Sequence, residues 1–215
     1  MAESVDTSII VGGSCDIDCR KSFFNFCRGK DIILCFTVNK ESDSKLFELL
    51  GYIRSFINSI NENNFKEVLK GTRFSDFERK YGSQSNFLKE ISDNFRDINR
   101  LKEELTKVEE VIDIIISYKV DLVENYIYPR NKNDVELIIN KKSLREMLRK
   151  TNLIKLRNEK DGWHIMLCQD YGEKSKDIVI FVCNDRHFTS DENNLKIENA
   201  FSNVKINSTK DYLGK

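Results

Sequence analysis

The chain has one proline, Pro129, nine glycines, two histidines and no net charge. Alanine occurs only at 2 and 200. Each shortage excludes something. With so little Pro and Gly there is no low-complexity linker. Gly12-Gly13 is the only glycine pair, and it lacks the Lys-Ser/Thr of a phosphate loop. No Rossmann fingerprint, nucleophile elbow, EF-hand loop or His-Glu-x-x-His motif is present. The 35 basic and 35 acidic side chains cancel, so net charge gives no support to a nucleic-acid partner. The most apolar stretch, "VIDIIISYKVDLV", is broken by Asp113, Lys119 and Asp121 and is too short and too charged to span a bilayer. The N-terminus has no basic segment ahead of an apolar core. The expectation is a cytoplasmic protein, the nucleus not excluded, with no membrane partner and mostly reduced cysteines.

What is present is a charge-rich globular composition, 33% charged and 40% hydrophobic, in 215 residues. Abundant Ile, Asn, Lys and Asp with scarce Ala is the usage of an AT-rich genome, such as a low-GC bacterium or its phage, a large DNA virus or an AT-rich protist. "TSIIVGG" and "DIILCFTV" are β-branched and apolar and read as strands, with a loop and a short helix around Lys21 to Cys27 between them. From Ser44 the period becomes helical, with Leu46, Leu49, Leu50, Ile53, Phe56, Ile57 and Ile60 on one face. Short helices are expected at 64–70 and 75–82.

Residues 85–128 contain no Pro or Gly. Leu101, Leu105, Val108, Ile112, Ile115, Leu122 and Tyr126 recur at spacings of four and three, with Lys119 at the missing step. This is a heptad seam, continued upstream by Ile91, Phe95 and Ile98 after a stammer-like slip. A helix of about 40 residues would be roughly 60 Å long, more than a compact core covers. The partner within the chain, residues 44–61, is about half that length, so a second copy or another protein is the expected cover. Tyr128-Pro129 ends the helix. Beyond it, "NDVELIIN" reads as a strand and "KKSLREMLRKTN" as an amphipathic helix. "LIKLR", "WHIMLCQ" and "DIVIFVCN" read as a β-meander, and a last helix and strand follow. The fold class is α+β, divided into an N-terminal α/β region at 1–84, the long coiled-coil-like helix at 85–128, and a C-terminal α/β head at 130–215.

Candidate sites are sparse. Arg157 and His164 have a spacing that resembles the loose Arg-to-His spacing of HEPN ribonucleases. That family's site lies on a helix in an all-helical bundle, whereas Trp163, Ile165 and Leu167 alternate with His164, Met166 and Cys168 as a strand would, and Asp161-Gly162 reads as a hairpin turn. The ligand types Cys and His suit zinc. Cys15 and Cys19 form the one close pair of a Cys15, Cys19, Cys27, Cys35 series, and Cys183 and His187 are a second close pair. His164 and Cys168 complete a His-x3-Cys…Cys-x3-His pattern, but strand residues four apart are about 13 Å apart. Zinc is therefore a possible cofactor at Cys15, Cys19, Cys183 and His187, and no other is indicated. Lys142, Arg145, Arg149 and Lys150 give a basic helix face that suits a solvated surface, an anion or a partner. The leading expectation is a non-enzymatic assembly or adaptor protein that binds itself or a partner through the long helix. The alternative is an enzyme or nucleic-acid-acting component, of viral or phage-defence type, with its site near His164, Cys183 and His187.

Overall fold

The computed structural model describes residues 1–61, 63, 97–150 and 159–214, with the backbone alone at 159, 160, 186 and 187. The expected helices at 64–70 and 75–82, the strand "LIKLR" and the seam residues Ile91 and Phe95 lie outside the described residues. The molecule is α+β with a long central helix, as its sequence pattern indicates.

Strand β1 (Ala2–Val5) leads through Asp6 into helix α1 (Thr7–Gly12), and α2 (Ile17–Cys27) follows. Carboxylate caps start both helices: Asp6 accepts from the Ser8 amide at 3.0 Å and Asp16 from the Cys19 amide at 2.7 Å. "TSIIVGG" is thus a helix and not a strand. Thr7, Ile9, Ile10, Val11 and Gly12 are all buried, and a short run buried on every side carries no period to separate the two structures. A Cβ on Gly12 would meet Cys19 Sγ at 3.0 Å, so this glycine permits the close α1–α2 approach.

"DIILCFTV" yields a two-residue strand, β2 (Leu34–Cys35), before α3 (Phe36–Ser59) begins, earlier than Ser44. Helix α4 (Ile98–Tyr126) is capped by Asp97, which accepts from the Asn99 amide at 2.8 Å. It spans 29 described residues, about 43 Å. Strand β3 (Ile127–Tyr128) pairs in parallel with β2. Next come α5 (Lys132–Asn140), capped by Asn131, α6 (Lys142–Lys150) and α7 (Glu159–Ser175). Then follow β4 (Val179–Cys183), α8 (Arg186–Thr189), α9 (Asp191–Ala200), β5 (Val204–Ser208) and α10 (Thr209–Tyr212).

Two further expected strands are helices. "NDVELIIN" buries Val135 and Ile138, one helical step apart. "WHIMLCQ" lies in α7, where every residue from His164 to Asp170 is buried. Apparent alternation means nothing when both sets are inside, since a helix buried all round shows no stripe. Asp161-Gly162 is not a turn. It sits in the first turns of α7, where a Cβ on Gly162 would meet Leu148 at 3.0 Å.

The expected meander is a parallel sheet in the order β1-β4-β5. Val5 pairs with Val182, and Val182 with Asn207. Central β4, "VIFVC", is a continuous apolar run, the pattern of a parallel strand covered on both faces. The sheet joins strands from the expected N-terminal region, 1–84, and the expected C-terminal head, 130–215. Helix α7 packs against β4 and β5 and also against α3 and α5.

The heptad seam is covered within the chain. Leu101, Leu105, Val108, Ile112, Ile115 and Leu122 are all buried, as are Leu46, Leu49, Leu50, Ile53 and Phe56 on the α3 face that packs on α4. The premise that part of this seam lacks a cover does not hold over 98–126, because α3 is longer than its apolar period suggests. Tyr126 is the exception, at 38% exposure. Lys119, at the missing step of the seam, is satisfied within the chain. It is buried and donates to the Asn39 carbonyl at 3.2 Å, to Ser42 Oγ at 2.8 Å and to Asp43.

Candidate functional site

Four polar side chains from three parts of the chain meet at the C-terminal end of β1. Asp6 is the residue after β1. Glu41 is on the second turn of α3. Asp161 and His164 are on α7 at the i, i+3 spacing that puts both on one face. The crevice beyond the carboxyl ends of parallel strands is where such sheets bind ligands.

His164 is wholly buried. Its Nδ1 lies 3.3 Å from Asp6 Oδ1 and its Nε2 lies 3.7 Å from Glu41 Oε2. Neither contact has good hydrogen-bond geometry, so the ring is held by charge, Asp6 at Nδ1 and Glu41 at longer range at Nε2. Glu41 is oriented by Thr7, whose Oγ1 donates at 3.0 Å, and by Lys45, 2.6 Å away. Among the described residues, one set of three His, Cys, Asp or Glu side chains brings its ligand atoms within 4.8 Å of one another: Glu41, Asp161 and His164.

The charges reinforce each other. Burial pushes the imidazole down, but Asp6, Cys35 and Glu41 together raise it above its ordinary value. Burial pushes Asp6 up, yet His164 and the Ser8 amide hold it below the usual carboxylate range. At Asp161 the balance goes the other way: burial first, then Asp6, push it up to about 6, with His164 opposing.

A cleft of about 720 Å³ runs beside this cluster. Its walls include Phe36, Thr37 and Glu41 of α3, Val135 and Ile139 of α5, and Trp163 of α7. Glu41 thus belongs both to the cleft and to the cluster. Thr37 Oγ1 is buried there without a partner. On the far side of the cluster, Cys35 Sγ and Cys168 Sγ are 3.7 Å apart.

The residues singled out in the sequence fall elsewhere, with one exception. His164 is at the centre, on a helix and not on a strand, and within a parallel-sheet setting and not an all-helical bundle. Arg157 lies outside the described residues. Cys15 is half-buried, Cys19 faces Gly12 with Asn184 Nδ2 at 3.4 Å, and Cys183 is buried at the end of β4. These three do not join any ligand trio among the described residues, and the side chain of His187 is not described. Lys142, Arg149 and Lys150 are exposed on α6. Arg145 donates to the Ile139 carbonyl at 3.1 Å and lines the cleft.

Sequence reasoning missed Asp6, Glu41 and Asp161. The Asp-x-x-His pair at 161 and 164 is visible once the segment is taken as a helix. Nothing in the sequence links it to Asp6 or Glu41. No described helix is long and apolar enough to cross a membrane. No family model, curated protein or solved structure matches the chain.

Proposed function

We propose that the protein is a divalent-metal-dependent hydrolase of a small anionic ester, with Glu41, Asp161 and His164 as the ligands and Asp6 as the group that orients the histidine. The observation that carries this reading is the wholly buried imidazole of His164 between Asp6 and Glu41, with Asp161 beside it and Glu41 alone of the set lining the cleft. Imidazole and carboxylate are the ligand types of zinc and manganese. A metal-bound histidine is normally held by a carboxylate at its other ring nitrogen, and Asp6 stands there, 3.3 Å from Nδ1. A metal held by these three ligands would keep a position for water and would supply an acidified nucleophile. Phe36, Val135, Ile139 and Trp163 offer an apolar wall for the body of the substrate. Lys40 and Arg145 line the same cleft and offer cations to an anionic group.

The test is hydrolysis of a chromogenic panel of phosphomonoesters, phosphodiesters and carboxylic esters by the full chain with added zinc or manganese. Metal-dependent turnover that falls at least about a hundredfold in Asp161→Asn and His164→Gln supports the reading. Turnover indifferent to metal and to both substitutions sinks it.

A second reading, self-association or partner binding through α4, keeps one observation. On the outer face of that helix Ile114 and Tyr118, four residues apart, are 48% and 41% exposed. The buried seam no longer argues for it. An Ile114→Asp, Tyr118→Ser double variant that changes the native mass in light scattering would favour it.

A further inference from the structure

We infer that the cleft beside Glu41 binds an aryl phosphate, with the aromatic ring against Phe36 and Trp163 and the phosphate on Lys40 and Arg145. This names the substrate class of the site proposed above. It rests on that reading for the chemistry, but not for the recognition.

The apolar walls come from three helices that meet only in the folded chain. Phe36 and Lys40 are a helical turn apart on α3, Val135 and Ile139 are a turn apart on α5, and Trp163 is on α7. At about 720 Å³ the cleft has the size of a small-molecule site. Aliphatic walls alone would accept any apolar body. Two aromatic side chains add a preference for a ring, through offset and edge contacts. Lys40 Nζ stands 5.8 Å from the centre of the Phe36 ring. That contact holds an ammonium next to the apolar wall, so a ring bound there has a cation beside it.

The charges on the walls select the head group. Lys45 is paired with Glu41 at 2.6 Å and Lys132 with Glu136 at 3.3 Å. Glu48 is itself engaged. Lys40 and Arg145 remain, and neither has a carboxylate partner among the described residues. Arg145 is nonetheless held in place. Its Nε donates to the Ile139 carbonyl at 3.1 Å and its Nη2 to Asn140 Oδ1. Two of its five N–H donors are thus used, and the rest of the planar fork suits phosphate oxygens. Two cations without carboxylates match a phosphate monoester, which carries roughly two negative charges at neutral pH, better than a carboxylate with its single charge. Lys40 directly precedes Glu41, so the phosphate lies on the side of the cleft that holds the ligand cluster.

Trp163 is the only tryptophan in the chain, so its emission reports on this cleft alone. The experiment titrates 4-nitrophenyl phosphate, whose absorption overlaps tryptophan emission, into the full chain in EDTA, with calorimetry in parallel. The expected result is saturable quenching with a matching heat. Lys40→Ala and Arg145→Ala, both at exposed positions, should each weaken binding by about tenfold with circular dichroism unchanged. Three analogues should bind more weakly: 4-nitrobenzyl alcohol, which lacks the charge, 4-nitrobenzoate, which lacks the second charge, and octyl phosphate, which lacks the ring. No heat with 4-nitrophenyl phosphate overturns the inference. So does an affinity unchanged in both variants, or any of the three analogues bound as tightly. Adding zinc separates this inference from the hydrolase reading. Binding in EDTA without turnover in zinc keeps the recognition and sinks the hydrolase. Metal-dependent turnover of other esters without binding of the aryl phosphate does the reverse.

Discussion

Lys119 occupies a seam position where the heptad pattern asks for an apolar side chain, and its ammonium is satisfied within the chain by Asn39, Ser42 and Asp43. Burial pulls its pKa down, and Asp43 opposes that shift. Replacing Lys119 by Ala removes the buried stem and the ammonium that donates to Ser42 and Asp43, at a cost of about 2–4 kcal/mol. Lys119→Met keeps the volume and should cost about half as much. Urea unfolding of the two variants checks the ranking. Asp170 is the second telling residue. It is fully buried and accepts from Lys141, Tyr128 and Lys174. Burial pushes it up, but those three donors hold it below the usual carboxylate range. A carboxylate with a depressed folded pKa adds stability above its unfolded value, near about 3.9, and that stability fades as pH falls through the folded value. Asp170→Asn should therefore destabilise by about 1–3 kcal/mol at neutral pH. Thermal unfolding from pH 7 down to pH 2.5 should show the gap to the unsubstituted chain closing below about pH 4. A gap that is constant with pH would mean that the charge of Asp170 does not matter.

At the scale of elements, the seam of α4 was legible residue by residue, because a heptad marks which face is buried. It does not say what buries it. Helix α3 starts at Phe36, under a stretch whose β-branched content suggested a strand, and that earlier start makes it long enough to cover the seam. Ile112→Ala should thus cost about 2–5 kcal/mol in urea unfolding and leave the native mass at one chain. A change in native mass at unchanged stability would point instead to an interface. The segments "TSIIVGG" and "WHIMLCQ" were misread for a shared reason: each is a helix buried on nearly every side, so neither period is written in it. "NDVELIIN" is different. Asn131 as N-cap and the Val135–Ile138 step are helix signals that its β-branched content concealed. β4 was legible because a short apolar run between Asp177 and Asn184 is what a buried strand requires, whereas β5 alternates, with Val204 and Ile206 buried.

For the whole molecule, the decisive contact is β1 against β4, which binds residues 2–5 to residues 179–182. Sequence carries no mark of such pairing, and the candidate site inherits that silence, since positions 6, 41, 161 and 164 meet only after the chain has closed. A fragment comprising residues 130–215 lacks β1, α1 and α3 and would expose the β4 edge and much of α7. It should show no cooperative unfolding by circular dichroism. A sharp transition would mean that the C-terminal part is an independent domain. The central claim, that Glu41, Asp161 and His164 hold a metal, is tested most directly by crystals of the full chain grown with zinc and an anomalous difference map recorded at the zinc edge. The account predicts one strong peak roughly 2.0–2.2 Å from His164 Nε2 and from a carboxylate oxygen of Glu41 and of Asp161. An empty map at that position, with Nε2 hydrogen-bonded directly to Glu41, would contradict it.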